Sequence, residues 1–178
     1  MITLANKKEE RARGVALKVL QEVFENGAYS NIALNKELQA SQLSQADKRL
    51  VTELVYGTVA RKITLEWYLA HEIADRDQLD TWVYYLLLLS LYQILYLDKI
   101  PNHAVVNEAV NLAKRAKGTD KYVNAVLRAF LKKPLPDVAS IKRKNKRLSV
   151  QYSAPVWLVA ILIEEYGQER AEAILASL

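Results

Sequence analysis

Bond-making chemistry needs a nucleophile, an acid–base pair, a metal cluster or a cradle for phosphate, and this sequence offers mainly cations. It has no cysteine, so thiolate nucleophiles, disulfides and thiolate zinc sites are out. The two histidines, His71 and His103, stand far apart with no neighbouring ligand cluster. His103 follows Asn102 and reads as a helix-start residue. Gly14, Gly27, Gly57, Gly118 and Gly167 form no GxG or GxxxxGK[ST] phosphate loop. The carboxylates are scattered, with no evident general acid–base pair. What remains is a basic balance of 25 Lys+Arg against 20 Asp+Glu, a formal charge of +5, over 178 residues. That excess fits a nucleic-acid binder.

The cations gather at three places. Asn6-Lys7-Lys8-Glu9 predicts a helix start with Asn6 as N-cap. Lys7, Arg11 and Lys18 fall opposite an apolar stripe of Ala12, Val15, Ala16, Val19, Leu20 and Val23. Cations in a first turn oppose the helix dipole at a cost of roughly 0.3–1 kcal/mol. Lys7 and Lys8 therefore suit a phosphate site, the alternative being a solvated basic face. Lys114, Arg115 and Lys117 close a later helix, where the dipole alone accounts for them. Residues 132–147 hold seven basic residues and one acid, Asp137; this run reads as a solvated linker.

The element that must organise these groups is WVYYLLLLSLYQILYL, Trp82 to Leu97, in which only Ser90 and Gln93 lack a hydrophobic side chain. A helix apolar on all sides is buried or membrane-spanning. Its sixteen residues fall short of the roughly 17–25 that a span needs, and Tyr84, Tyr85, Tyr92 and Tyr96 carry hydroxyls that need partners. The expected architecture is all-α, a helical bundle around this central helix. Before it, Asn26-Gly27 stops the first helix, Ser30 starts a second, and Ser44 caps a third that ends near Gly57. Ile63 to His71 is a fourth helix, and Asp75 to Asp80 a loop. After it come a helix from Asn102 and another over Asp120 to Lys133, in which Asn124 is placed to bond across to a neighbouring helix. Gly14 in mid-helix implies close approach of another helix or of a ligand backbone. Further on, Ser153 and Pro155 are helix-start signals for Val156–Tyr166, and a last helix spans Glu169 to Leu178. Ala171, Ile174 and Leu175 lack an evident core, so the chain is expected to be part of a longer one, with its last helices mobile or packed on a neighbour. The polar amino terminus, MITLANKKEERAR, has no signal-peptide core; a cytoplasmic protein without a membrane span is the simplest expectation.

The segments YQILYLDKIPNHAVVNEAVNLAKR (Tyr92 to Arg115) and KYVNAVLRAFLKKP (Lys121 to Pro134), with Asp47 and Tyr56-Gly57-Thr58, carry a resemblance. The chain resembles the NusB-like domain that begins the Sun/Fmu (RsmB) family of bacterial S-adenosylmethionine-dependent 16S rRNA cytosine-5 methyltransferases. LSVQYSAPVWLVAILIEEYG is similar to the start of that family's methyltransferase portion. The resemblance implies a NusB-like RNA-binding domain over residues 1–134, a basic linker over 135–150 and the first methyltransferase helices over 151–178. It implies rRNA as partner, with the missing methyltransferase domain docking on this one, and S-adenosylmethionine for the parent but no cofactor, metal or catalytic residue in this chain. The candidate RNA-binding set is Lys7, Lys8, Arg11, Arg13, Lys18, Lys114, Arg115, Lys121, Arg128, Lys142, Arg143 and Lys144. Asn107, Glu108 and Asn124 resemble family positions that tie helices together. Leu88 stands where the family commonly has Arg. The alternatives are a free-standing NusB-type antitermination factor and a protein-interaction module that docks a ribosomal protein or its own catalytic domain.

Overall fold

The computed structural model describes the backbone of residues 4–178 and the side chains of residues 11–178. Among the described residues it is all helical. The helices are α1 (Leu4–Asn26), α2 (Ser30–Ala40), α3 (Gln45–Ala60), α4 (Lys62–Leu69), α5 (Thr81–Tyr96), α6 (Asn102–Ala113), α7 (Thr119–Lys132), α8 (Lys144–Tyr152), α9 (Val156–Tyr166) and α10 (Gln168–Ser177). Short 3₁₀ turns lie at Arg76–Gln78 and Val138–Ser140. No helix of the described residues is long and apolar enough to cross a membrane.

The all-apolar run is α5, and every residue from Val83 to Gln93 is buried. Helices α1, α3, α4, α6 and α7 pack around it, each presenting one apolar face. Leu86 to Leu89 and Leu91 are almost wholly excluded from solvent; burying each contributes about 1.5–3 kcal/mol relative to exposure. Two of the tyrosine hydroxyls find carboxylates at the bundle surface. Tyr84 donates to Glu66 Oε2 at 2.7 Å and Tyr92 to Glu53 Oε1 at 3.2 Å. Burial, then the hydrogen bond and charge of Glu66, push the Tyr84 phenol well above its ordinary range.

Local signals behave largely as their chemistry predicts. Ser44 Oγ accepts from the Asp47 N–H at 3.2 Å, capping α3. Gly27 closes α1 with φ of 68°. At Gly14, a Cβ would stand 3.6 Å from Leu112 Cδ2 of α6, an ordinary contact distance, so the expected close approach that would demand glycine is not found there.

Five expectations need correction. Helix α1 is already running at Leu4, so Asn6 is inside it and not its N-cap. Helix α3 continues past Gly57 to Ala60. Gly57 is there for space: a Cβ would overlap the Tyr92 ring. The linker over 135–150 is solvated only in its first part. From Lys144 it is α8, whose Leu148, Ser149 and Val150 are buried and which packs on α4. The Thr64 hydroxyl donates to the Val150 carbonyl, and the Ile63 N–H donates to Ser153 Oγ at 3.1 Å. Ser153 ends α8 in the left-handed region, φ 53°, rather than starting α9, whose N-cap position is Pro155. Finally, the last helices do have a core. Leu148, Ala154, Val159 and Leu175 form a second apolar cluster, flanked by Tyr152, Leu158, Leu162 and Ile163. Part of it comes from α8, inside the stretch that its charge marks as linker.

Candidate nucleic-acid interface

Arg11 and Lys18 are seven residues apart on α1, two turns of helix, and so share a face. Both are exposed. With Gly14, Val15, Glu37 and Ser41 they line a groove of about 400 Å³ between α1 and α2. Arg11 also borders a smaller hollow of about 250 Å³ beside Ser44 and Asp47, at the start of α3. Lys18 Nζ lies 3.2 Å from Glu37 Oε2. The carboxylate is nearly buried and the ammonium mostly exposed, so the pair anchors Lys18 on the groove rim with donors left for a ligand. Lys7 and Lys8 belong to α1, but their side chains lie outside the described residues.

Arg13 leaves the candidate set. It is 3% exposed, and its Nε donates to Gln93 Oε1 at 2.8 Å. Gln93 in turn donates to the Leu89 carbonyl at 3.1 Å. Arg13 thus serves the α1–α5 contact and presents nothing to solvent. Its spacing to Ala16, Leu17 and Leu20, three, four and seven residues on, was the available signal. Gln93, one of two polar side chains in the apolar run, was the signal for its partner. Leu88 is buried, and the buried guanidinium among the described residues is that of Arg13 on α1.

The remaining cations are exposed but dispersed. Lys114 and Arg115 follow α6, and the Arg115 guanidinium lies over the Trp82 ring at 4.2 Å. Lys121 and Arg128 share one face of α7. Asn124 Oδ1 accepts from Arg128 Nε at 2.8 Å, a bond within α7, so Asn124 does not tie two helices together. Asn107 is exposed on α6, whereas Glu108 is buried and partnered. Of the three family positions, only Glu108 sits where it can hold helices together. Lys142, Arg143 and Lys144 sit at the start of α8, which packs on α4, α9 and α10 rather than on α1 or α2.

Sequence reading missed a cleft of about 700 Å³ where α3 faces the end of α5, with Tyr152 of α8 and Leu178 also on its lining. Arg49, Glu53, Tyr56 and Ala60 recur at helical spacing along one side of α3, and Arg61 follows. The Tyr92 and Tyr96 rings stack at 5.5 Å, and the Arg61 guanidinium lies 4.2 Å from the Tyr96 centroid. Tyr56 is 43% exposed. Burial and the Glu53 carboxylate raise the Tyr92 phenol above its ordinary range, keeping it a donor. The spacing of 49, 53, 56 and 60 was legible, but nothing in the sequence puts Tyr92 opposite it.

The sequence profile of the NusB family matches residues 10–132. The chain belongs to the NusB family. It is 40% identical over 169 residues to the probable ribosomal RNA small subunit methyltransferase B of Bacillus subtilis, an alignment covering 94% of this chain and 38% of that protein. The protein of the same name from Synechocystis is 34% identical, over 93% of this chain and 38% of the relative. Ribosomal RNA small subunit methyltransferase B of Shigella flexneri is 30% identical, over 92% and 37% respectively. This NusB-family chain therefore spans a little over a third of the length of these relatives. A crystal structure of PH0851 shares its fold, with a TM-score of 0.73 at 18% identity, covering 96% of this chain and 38% of the other. The described residues do not fit S-adenosylmethionine: Gly27, Gly118 and Gly167, the glycines with positive φ, stand singly at helix junctions and build no loop of converging N–H groups around a nucleoside.

Proposed function

We propose that this NusB-family domain binds ribosomal RNA, with 16S rRNA the substrate by resemblance. It would hold that RNA for a cytosine-5 methyltransferase portion of the kind its relatives' names describe. S-adenosylmethionine would be that portion's methyl donor, and the cytoplasm the site of action. The observation that carries the reading is the pair of exposed cations, Arg11 and Lys18, along the α1–α2 groove of a NusB fold. Lys114, Arg115, Lys121, Arg128, Lys142, Arg143 and Lys144 would add diffuse attraction. Contacts of this kind set affinity and register; base contacts supply sequence discrimination.

Binding of the domain to 16S rRNA fragments across a salt series tests this, with the Arg11→Ala/Lys18→Ala variant beside wild type. Each phosphate contact contributes about 0.7–0.9 to the slope of log affinity against log salt. The variant is expected to lose about 1.5 from that slope. An unchanged slope removes the groove from the RNA interface.

A second surface favours a protein contact on the same molecule. Helix α9 exposes Trp157 (65%), Ile161 (50%) and Val156 (44%) on one apolar stretch. The additional length of the relatives makes the methyltransferase portion its proposed occupant.

A further inference from the structure

The geometry points to a second RNA site: the cleft between α3 and the end of α5 takes a single unstacked nucleotide whose base presents an amino group. This rests on the RNA-binding proposal above and extends it from phosphate attraction to base recognition.

Three chemistries meet in the cleft. The first is a planar surface. Tyr56 is exposed on its wall, and beside it the exposed Arg61 guanidinium is held flat over the Tyr96 ring. Aromatic rings and guanidinium planes are what splayed-out RNA bases stack on. The second is a cation. Arg49 is exposed at the rim and makes no ion pair among the described residues. It also borders the adjoining hollow toward Lys99, so a backbone phosphate can reach it while a base lies inward. The third is an acceptor. Glu53 lines both hollows and receives the Tyr92 hydroxyl on Oε1, which orients the carboxylate. Its other oxygen is an acceptor for an exocyclic amino group, as carboxylates are for cytosine N4. A purely electrostatic site would have no use for an acid; here Glu53 works against phosphate but toward an amino-bearing base edge. Gly57 makes the arrangement possible, because only an absent Cβ lets the Tyr92 ring lie against α3.

Short single-stranded RNAs test it, cytidine and uridine hexamers that differ at base position 4. Fluorescence anisotropy would compare wild type with Tyr56→Ala, Arg49→Ala and Glu53→Gln, and thermal melting would confirm that each variant is folded. Wild type is expected to prefer the cytidine hexamer. Loss of Tyr56 is expected to weaken it on the order of tenfold, within the range for stacking of one base on an aromatic. Glu53→Gln keeps an acceptor for Tyr92 but can turn its amide to uracil O4, so the preference is expected to shrink or reverse. If RNA binds with the salt slope and the Arg11/Lys18 dependence given above, yet Tyr56→Ala and Glu53→Gln change nothing, the cleft is not a nucleotide site while RNA binding stands. If wild type binds neither hexamer nor rRNA, both proposals fall.

Discussion

Replacing Gly57 by alanine separates two opposing effects in this fold. Gly57 sits inside α3, where alanine is better than glycine by about 1 kcal/mol on helix propensity alone. A sequence view therefore expects stabilisation. The structure expects the reverse. A Cβ there would collide with Cζ and the hydroxyl of Tyr92 and lie 2.5 Å from its Cε1. The Tyr92 side chain cannot simply swing out, because it is 5% exposed and stacked on Tyr96. Overpacking costs about 1–3 kcal/mol, and displacing the ring also breaks the Tyr92–Glu53 hydrogen bond, about 1 kcal/mol. The net is a loss of about 1–3 kcal/mol. Urea unfolding gives the number directly. Gly57→Ala in a Tyr92→Leu background removes the collision, so there the alanine is expected to be neutral or stabilising, and the double-mutant cycle reports the coupling. A Gly57→Ala protein as stable as wild type, with no coupling to position 92, would refute the steric account.

Two further perturbations follow from buried polar groups. Arg13→Ala is expected to lower stability by about 3 kcal/mol, since it leaves Gln93 Oε1 unpaired and opens space in the core. Arg11→Ala should stay within about 0.5 kcal/mol. Equal effects in urea melts would contradict the different places given to these two arginines. The pH dependence has a definite sign. Burial and Glu66 raise the Tyr84 phenol above its ordinary value of about 10, so above that pH the unfolded chain releases a proton that the native state retains. Stability is then fully present below pH 10 and declines as pH rises beyond it. Tyr84→Phe should flatten that decline, measured as urea midpoints from pH 8 to 11; an identical slope in the variant would count against it.

The central helix was legible because its signal is local. Sixteen residues with two polar side chains cannot be solvated in any orientation, so burial on all sides follows from composition. The Ser44 cap and the α9 boundaries at Pro155 and Gly167 were legible for the same reason: a side-chain acceptor or a permitted φ acts within one turn. The family resemblance rested on such local patterns, and its all-helical fold is the one observed.

What only the tertiary structure decided are matters of partner and depth. Arg13 lies beside the apolar stripe of α1, and a few tens of degrees of helix rotation separate a phosphate-binding arginine from a core one. The position of Gln93, eighty residues away in the chain, settles which it is. Gly57 looked like a stop signal because propensity sees the missing side chain but not the Tyr92 ring that fills its place. The basic run after Pro134 looked like a linker because its charge outnumbers its apolar residues, yet Leu148 and Val150 are enough to seat α8 on the bundle and on α9. The crossing of α3 and α5 brings Arg61 to Tyr96 and Glu53 to Tyr92, pairs that periodicity along one helix cannot bring together. Local sequence fixes which residues want water and which do not; the crossing of α3 over α5 fixes which of them meet.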